Sequence, residues 1–363
     1  MKPIKICITG GHATPALAVI EVMKKKHPEW ELLWVGRAVA LEGSNVRSEE
    51  SRLVSDAGIP FYSIDAGRLS RVFSFASIVS FLKIPIGYIQ SFFFLLRHRP
   101  TMILSFGGYV AVPIAVHAWV LSIPVVTHEQ SHTPGIANRI ISMFAKKIFV
   151  SHKDSLSLFP AKKTVYTGLP IRSGIFTAPK EPSFLYSRES LPMLYIMGGS
   201  TGAKSINTVV YEILPRLLST YRIIHQVGAL SFDEAKKIKA ALSAHGDRYT
   251  VLPYIDISDL AWVYKHASLV IGRSGANTVG EIRALGLRAI CIPLSWGGSH
   301  EQRLNAEALV KHNQALIVEQ SQLSPDTLEK AIAVMEKQKN ISYHPESSFR
   351  ASAMIVEELE TLL

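Results

Sequence analysis

Acidic residues are missing from one long stretch of this chain. Between residues 66 and 128 there is no Asp or Glu, while Arg68, Arg71, Lys83, Arg97 and Arg99 are all present. Cysteine is scarce too: Cys7 and Cys291 are the two in 363 residues, each in an apolar run with no partner at ligand spacing. That argues against a disulfide framework and a cysteine zinc site, and fits core thiols in a reducing compartment. There is no Asp-x-Asp pair and no His/Cys cluster at metal spacing, so no essential metal or other cofactor is expected. The opening "MKPIKICITGG" enters a β-branched run without the charged, apolar and small-residue leader, so a secretory signal is not expected.

What is present is a chain of 363 residues, 48% hydrophobic, with a net charge of +10. That length suits two domains. The acid-free window holds "FSFASIVSFLKIPIGYIQSFFFLL", residues 73–96, as apolar as a membrane span. Lys83 and Pro85 fall in its middle, and a charge plus a helix breaker at the bilayer centre is costly. Two readings stand. A helix pair with basic flanks suits an anionic membrane surface, with Phe73, Phe75, Ile78, Phe81, Leu82, Phe92 and Phe93 as the docking side chains. A buried core pair has the same periodicity. Nucleic acid ranks last as a partner, because the aromatics cluster with aliphatics instead of alternating with Arg and Lys.

Short β-branched runs alternate with amphipathic segments along the whole chain, from "IKICI" and "ELLWVG" to "SLVIG" and "RAICIP". This is the pattern of α/β domains with parallel sheets and helices on both faces. The proline-bearing stretch 173–192 reads as a linker between residues 1–172 and 173–345. Each half opens alike: strand, Gly-Gly, small polar residues, helix. The expected architecture is two doubly wound, Rossmann-like domains facing across a cleft, with ligands at the carboxyl ends of the strands.

Glycine turns recur at Gly10-Gly11-His12, Gly107-Gly108-Tyr109, Gly198-Gly199-Ser200 and Ser274-Gly275-Ala276. Glycine lets a backbone approach an anion, and the following helix supplies free N–H groups and a positive dipole end. Any one such turn is ordinary; the set points to phosphate-bearing ligands. "GGSTGAKS" (198–205) misses the P-loop pattern because Ala203 stands at its second Gly, and the first turn lacks the G-x-G-x-x-G spacing, so a triphosphatase and a dinucleotide oxidoreductase are both disfavoured. In "GRSGANTVGE" (272–281) the helix start can receive a diphosphate, and Glu281, about one turn on, can take two vicinal hydroxyls. A solvated helix face is the commoner fate of such a Glu. Glu301, Gln302 and Asn305 in "SHEQRLNA" suit sugar hydroxyls or a polar cap.

Taken together, "TGGHATPALAV", "SFGGYVAVP", "HEQ" with Asn138 after it, "GLPIR", "GGSTGA", "HQVG", "SGANTVGE" and "EQRLNA" resemble the MurG family of bacterial N-acetylglucosaminyltransferases. The resemblance implies the two-lobed GT-B fold and inverting transfer of GlcNAc from UDP-GlcNAc. The acceptor is the C4 hydroxyl of MurNAc-pentapeptide on undecaprenyl diphosphate, lipid I, giving lipid II for peptidoglycan at the cytoplasmic face of the membrane. It implies that residues 1–172 take the acceptor and dock on the membrane, that residues 173–345 hold the donor, and that helix 346–363 packs back on the first domain. The donor residues would be Thr9, Gly10, Gly11, Ser131, Arg172, Ser200, Ile255, Ala276, Asn277, Thr278, Glu281 and Gln302. Gly10, Gly11, His12, Gly107, Gly108 and Tyr109 would cradle the lipid diphosphate. A base must take the acceptor proton as the anomeric carbon becomes oxocarbenium-like; His12 is the first candidate and Glu129 the second. A histidine that only donates to phosphate is the alternative for His12.

The chain departs from the family pattern at Cys7-Ile8, Ser131, Leu169 and a long "RAVALEGSNVRSEESRL" segment, mostly on the acceptor side. Alternatives are a transferase of the same fold acting on another lipid such as diacylglycerol, and a UDP-GlcNAc 2-epimerase.

Overall fold

The computed structural model describes residues 3–39, 48–67, 84–177, 181–185, 190–199, 202–242, 244–294, 299–338 and 346–363. The chain forms two compact units, one of Met1–Arg172 with Ser347–Leu363 and one of Ser173–Glu346.

The first unit is built on β1 (Lys5–Thr9), α1 (Ala13–Lys26), β2 (Glu31–Gly36), α2 (Glu49–Asp56), β3 (Phe61–Ser63), α3 (Ile84–His98), β4 (Met102–Ser105), α4 (Ala111–Val120), β5 (Val125–Glu129), α5 (Ile136–Phe144), β6 (Lys147–Val150) and β7 (Thr164–Tyr166). Its seven strands run parallel in the order β3-β2-β1-β4-β5-β6-β7. Every residue of β4 and β5 is buried, as expected of a parallel sheet covered on both faces. The period-2 alternation sorts side chains between two cores. Ile6 and Ile8 pack with Trp34 and Phe149 on one face, and Cys7 packs with Val35 and Ile114 on the other.

The second unit contains β8 (Met193–Met197), α6 (Lys204–Leu217), β9 (Arg222–Gln226), α7 (Phe232–Ala240), β10 (Tyr249–Leu252), α8 (Ile257–His266), β11 (Ala267–Gly272), α9 (Ala276–Leu285), β12 (Ala289–Cys291), α10 (Ser299–Val310), β13 (Ala315–Ile317) and α11 (Pro325–Glu336). Its six strands follow the order β10-β9-β8-β11-β12-β13, again all parallel. Leu194 and Ile196 face one core while Met193, Tyr195 and Met197 face the other. In both sheets the strand order reverses once, between β1 and β4 and between β8 and β11. Those reversal points open a crevice at the carboxyl edge, where ligands bind in this architecture.

The last helix, α12 (Glu346–Glu360), leaves the second unit's sequence and joins the first. Ile355, Val356 and Leu359 are fully buried in the core that holds Ile6 and Trp34. Its polar side pairs Glu358 with Lys147 at 3.1 Å and Glu360 with His27 at 2.7 Å, while His27 stacks on Trp30. The Glu360 carboxylate raises the His27 pKa above its ordinary value. A raised histidine pKa contributes stability in full below the unfolded value near ~6.5 and loses it as pH climbs through the folded one. We expect ring-proton NMR titration to give His27 a pKa above the ordinary value, and Glu360→Gln to lower it. An unchanged titration in that variant would contradict the contact.

Candidate active site

At the first reversal point two glycine turns press backbone against backbone. Phe106 N donates to Thr9 O at 2.7 Å and Gly11 N to Gly107 O at 3.1 Å. Gly10 has φ +137°, and a Cβ there would lie 2.7 Å from both Gly107 O and the Phe106 carbonyl carbon. No side chain fits. Gly107 N also has a protein acceptor, Ser105 Oγ at 3.1 Å. The amides of Gly11 and Gly107, expected from sequence to face a phosphate, are therefore occupied by the fold. The remaining positive ends are the first turns of α1 and α4, which have neither a side-chain cap nor an acidic residue. Such uncapped ends leave donors for an anion. Tyr109, half-buried, packs beside α4.

His12 is the N-cap of α1. The residue is exposed, yet desolvation by the protein around its imidazole lowers its pKa to about 4, which makes it neutral at pH 7. Its Nδ1 lies 2.8 Å from Gln130 Nε2. Glu129 is different. It is 2% exposed, and its carboxylate accepts from Ser131 N at 2.8 Å, Gly135 N at 3.2 Å and Asn138 Nδ2 at 2.8 Å. Burial raises its pKa while these donors oppose the rise. Both oxygens hold the loop after β5, so Glu129 shapes the site as a brace. Asn138 also accepts from Thr127 Oγ1, at 3.2 Å, and fills the space beside Gly107. Thr9 is fully buried and its Oγ1 has no partner among the described residues; Ser131 is half-buried; Arg172 is half-buried and its Nε has no partner among the described residues.

At the second reversal point Gly272 ends β11 against Met197 O of β8. Arg273 ties the turn down, donating to Ile292 O at 2.9 Å, Pro293 O at 3.3 Å and Ser205 Oγ at 3.0 Å. Ser274 Oγ donates to Gln302 O at 2.8 Å, Asn305 Nδ2 to Ser274 O at 3.1 Å and Leu294 N to Gln302 Oε1 at 3.1 Å. Asn305 thus braces the turn, and the carbonyl end of the Gln302 side chain is occupied. Helix α9 begins at Ala276 without a side-chain cap or acidic first turn. Asn277 Oδ1 is buried with no partner among the described residues, beside half-buried Thr278. Glu281 is 6% exposed and accepts from Tyr264 Oη at 2.9 Å, which sets aside the solvated-face reading. Ile255 follows β10 and buries its side chain against Trp262 and Val279.

Gln130, Tyr264 and Arg273 were not singled out by sequence. The "HEQ" and "GRSG" strings carry two of them; nothing local marks Tyr264, which α8 brings to α9. Ser200, Phe73, Phe75, Ile78, Phe81 and Leu82 lie outside the described residues. Among the described residues no group of three or more His, Cys, Asp or Glu is placed to hold a metal ion.

Residues 6–150 match the glycosyltransferase family 28 N-terminal domain and residues 193–359 its C-terminal domain. The UDP-N-acetylglucosamine--N-acetylmuramyl-(pentapeptide) pyrophosphoryl-undecaprenol N-acetylglucosamine transferase of Treponema denticola is 36% identical over 344 residues, covering 92% of this chain and 88% of its own. The chain belongs to glycosyltransferase family 28. The same-named transferase of Clostridium perfringens is 34% identical over 346 residues, covering 93% of this chain and 92% of its own. Among solved structures, Acinetobacter baumannii MurG aligns with a TM-score of 0.69 at 26% identity, over 99% of this chain and 100% of that one. The family 28 architecture is GT-B, two Rossmann-like domains. A UDP-GlcNAc 2-epimerase of Methanocaldococcus jannaschii aligns with a TM-score of 0.66 at 14% identity, over 99% of this chain and 100% of that one, a likeness of fold.

Asn138→Ala leaves Glu129 short of a donor and opens a gap beside Gly107. We expect a stability loss of about 1–3 kcal/mol by urea titration. No loss would mean that Glu129 does not depend on this brace.

Proposed function

We propose that this chain transfers GlcNAc from UDP-GlcNAc to the C4 hydroxyl of MurNAc-pentapeptide on undecaprenyl diphosphate. The observation that carries this reading is the uncapped start of α9 with a buried carboxylate, Glu281, on the same helix. It suits a nucleoside diphosphate whose ribose meets Glu281. The names of relatives across 92% of the chain support GlcNAc and the lipid-linked acceptor.

In this reading the second unit takes the donor. Ala276, Asn277 and Thr278 receive the diphosphate at the dipole end, with the unpartnered Asn277 Oδ1 meeting a donor of the ligand. The Ile255 backbone reads the uracil edge, and Gln302 meets the sugar hydroxyls. The leaving UDP gains charge at its β-phosphate, and fixed amides stabilise it without reorganising. The first unit takes the acceptor diphosphate through the helix starts next to Gly108 and Tyr109. His12 Nε2 removes the C4 hydroxyl proton as the bond to the anomeric carbon forms. A neutral imidazole can do this at pH 7; Glu129, with both oxygens engaged, has no such freedom. No metal or other cofactor enters this scheme.

The membrane reading rests on α3. Ile86, Ile89, Phe93 and Leu96 are exposed at spacings that put them on one helix face, Phe93 at 64% and Ile89 at 59%. Trp119 on the neighbouring α4 is 59% exposed. Phe92 is half-buried with its ring beside His117, so of Phe92 and Phe93 it is Phe93 that stands exposed. No helix among the described residues is long and apolar enough to cross a membrane, and the proposed attachment is peripheral, to an anionic surface on the cytoplasmic side.

Turnover of UDP-GlcNAc with a lipid I analogue tests the reading, with diacylglycerol as the competing acceptor. We expect His12→Ala to lower kcat by about 10²–10⁴-fold with UDP affinity retained, and Glu281→Gln to weaken UDP affinity by roughly tenfold. Because the base must be unprotonated, activity falls as pH drops through its pKa; the lowered value puts that fall near pH 4 instead of near ~6.5. Wild-type kinetics in both variants, or a preference for diacylglycerol, would reject it. Separately, Ile89→Ser with Phe93→Ser is expected to weaken sedimentation with anionic vesicles while turnover of a soluble acceptor analogue persists; equal sedimentation would reject the docking face.

A further inference from the structure

We propose that Gln130 is the positioning residue for His12, accepting Nδ1–H through its side-chain carbonyl and so leaving the Nε2 lone pair for the acceptor proton. The proposal rests on His12 acting as the base.

Gln130 continues directly from β5 and is almost fully buried, and its amide lies 2.8 Å from His12 Nδ1. Which end of an amide faces a partner is settled by the hydrogen-bond network, since its nitrogen and oxygen are nearly the same size. With nitrogen toward Nδ1, the imidazole proton must sit on Nε2, so the outward nitrogen becomes a donor with nothing to accept a proton. In either orientation the far end of the Gln130 amide has no partner among the described residues, so the tautomer of His12 and not the far end distinguishes the two. With oxygen toward Nδ1, the same contact becomes Nδ1–H···Oε1 and Nε2 is an acceptor. The heavy atoms need not move; the amide alone selects base or donor. Because both forms of His12 in question are neutral, an uncharged partner sets the tautomer without pulling the ring toward imidazolium, as a carboxylate would.

The backbone of Gln130 is itself held. Its carbonyl oxygen accepts from His152 Nε2 at 3.1 Å, and His152 stacks on His132 with ring centroids 3.5 Å apart. Glu129 anchors the next residue, Ser131, from the other side. The titratable groups around the pair are therefore His128 and Glu129 on β5, His132 on the following loop and His152 after β6. Gln130 makes no proposed contact with substrate.

The tautomer is read in the wild-type protein, without substrate, by two-bond ¹H–¹⁵N spectra of histidine-labelled enzyme at pH 7. The expected result is His12 protonated on Nδ1; a proton on Nε2 overturns the proposal. Two variants add a kinetic readout. Gln130→Met keeps the volume and removes the polar end, and is expected to lower kcat by about 10–100-fold with UDP affinity unchanged. Gln130→Glu can only accept, so it is expected to recover most of kcat and to move the acid limb of kcat/KM upward by roughly one pH unit or more, since a carboxylate beside imidazole raises its pKa. A Glu variant as slow as the Met variant, with its acid limb unmoved, overturns the proposal. If His12→Ala kept full turnover while the spectra still placed the proton on Nδ1, the base assignment would fail and the hold of Gln130 on the ring would stand.

Discussion

The hydrogen bonds from Phe106 N to Thr9 O and from Gly11 N to Gly107 O bring two strand ends so close that only bare backbone fits between them. Much of the first unit's site depends on that closeness. It occurs where the strand order reverses, so the helices that follow β1 and β4 pass to opposite faces of the sheet. Two helix starts and the His12 imidazole are thereby presented at one edge. A Cβ at Gly10 would push the strand ends apart and move His12 with them. The second sheet repeats the device with different residues, Gly272 against Met197 O, and Arg273 takes over the tying role by reaching three acceptors from the turn.

Two carboxylates illustrate how environment assigns roles to like groups. Glu129 and Glu281 are both nearly buried, so each carries a desolvation cost that partners must offset. Glu129 receives two backbone amides and an Asn side chain from its own loop, so both of its oxygens hold that loop. Glu281 receives the Tyr264 hydroxyl on one oxygen and stands on a helix whose start is uncapped. The positive dipole end of that helix start favours negative charge beside it.

Linking the last helix to the first unit has a physical consequence as well. The apolar face of α12 fills the same core as β1 and β2, and its acidic face meets Lys26, His27 and Lys147. The chain therefore crosses between units twice, at residue 172 and again near 346, so the second unit is an insertion bounded by two connections. The acid-free stretch on the first unit leaves a row of apolar side chains on α3 with no acidic neighbour in the sequence around them.

The amino-acid sequence by itself determined the α/β class and both sets of parallel strands, because buried parallel strands are written as short continuous β-branched runs that local pattern reveals. It also marked the glycine turns and the helix beginning after "GRSG", since tight turns demand particular residues locally. It left open whether residues 84–98 are core or surface. The structure answers by turning Ile89 and Phe93 outward and Ser91 and Leu95 inward, a choice made by what α4 and the sheet can cover. It could not show how Glu129 is held, because the donors from residues 131, 135 and 138 reach it only in the folded loop. Nor could it find Tyr264 beside Glu281 or Gln130 beside His12, pairs 17 and 118 residues apart. Local spacing encodes backbone conformation, whereas contacts between distant side chains exist only once the sheets have stacked their helices.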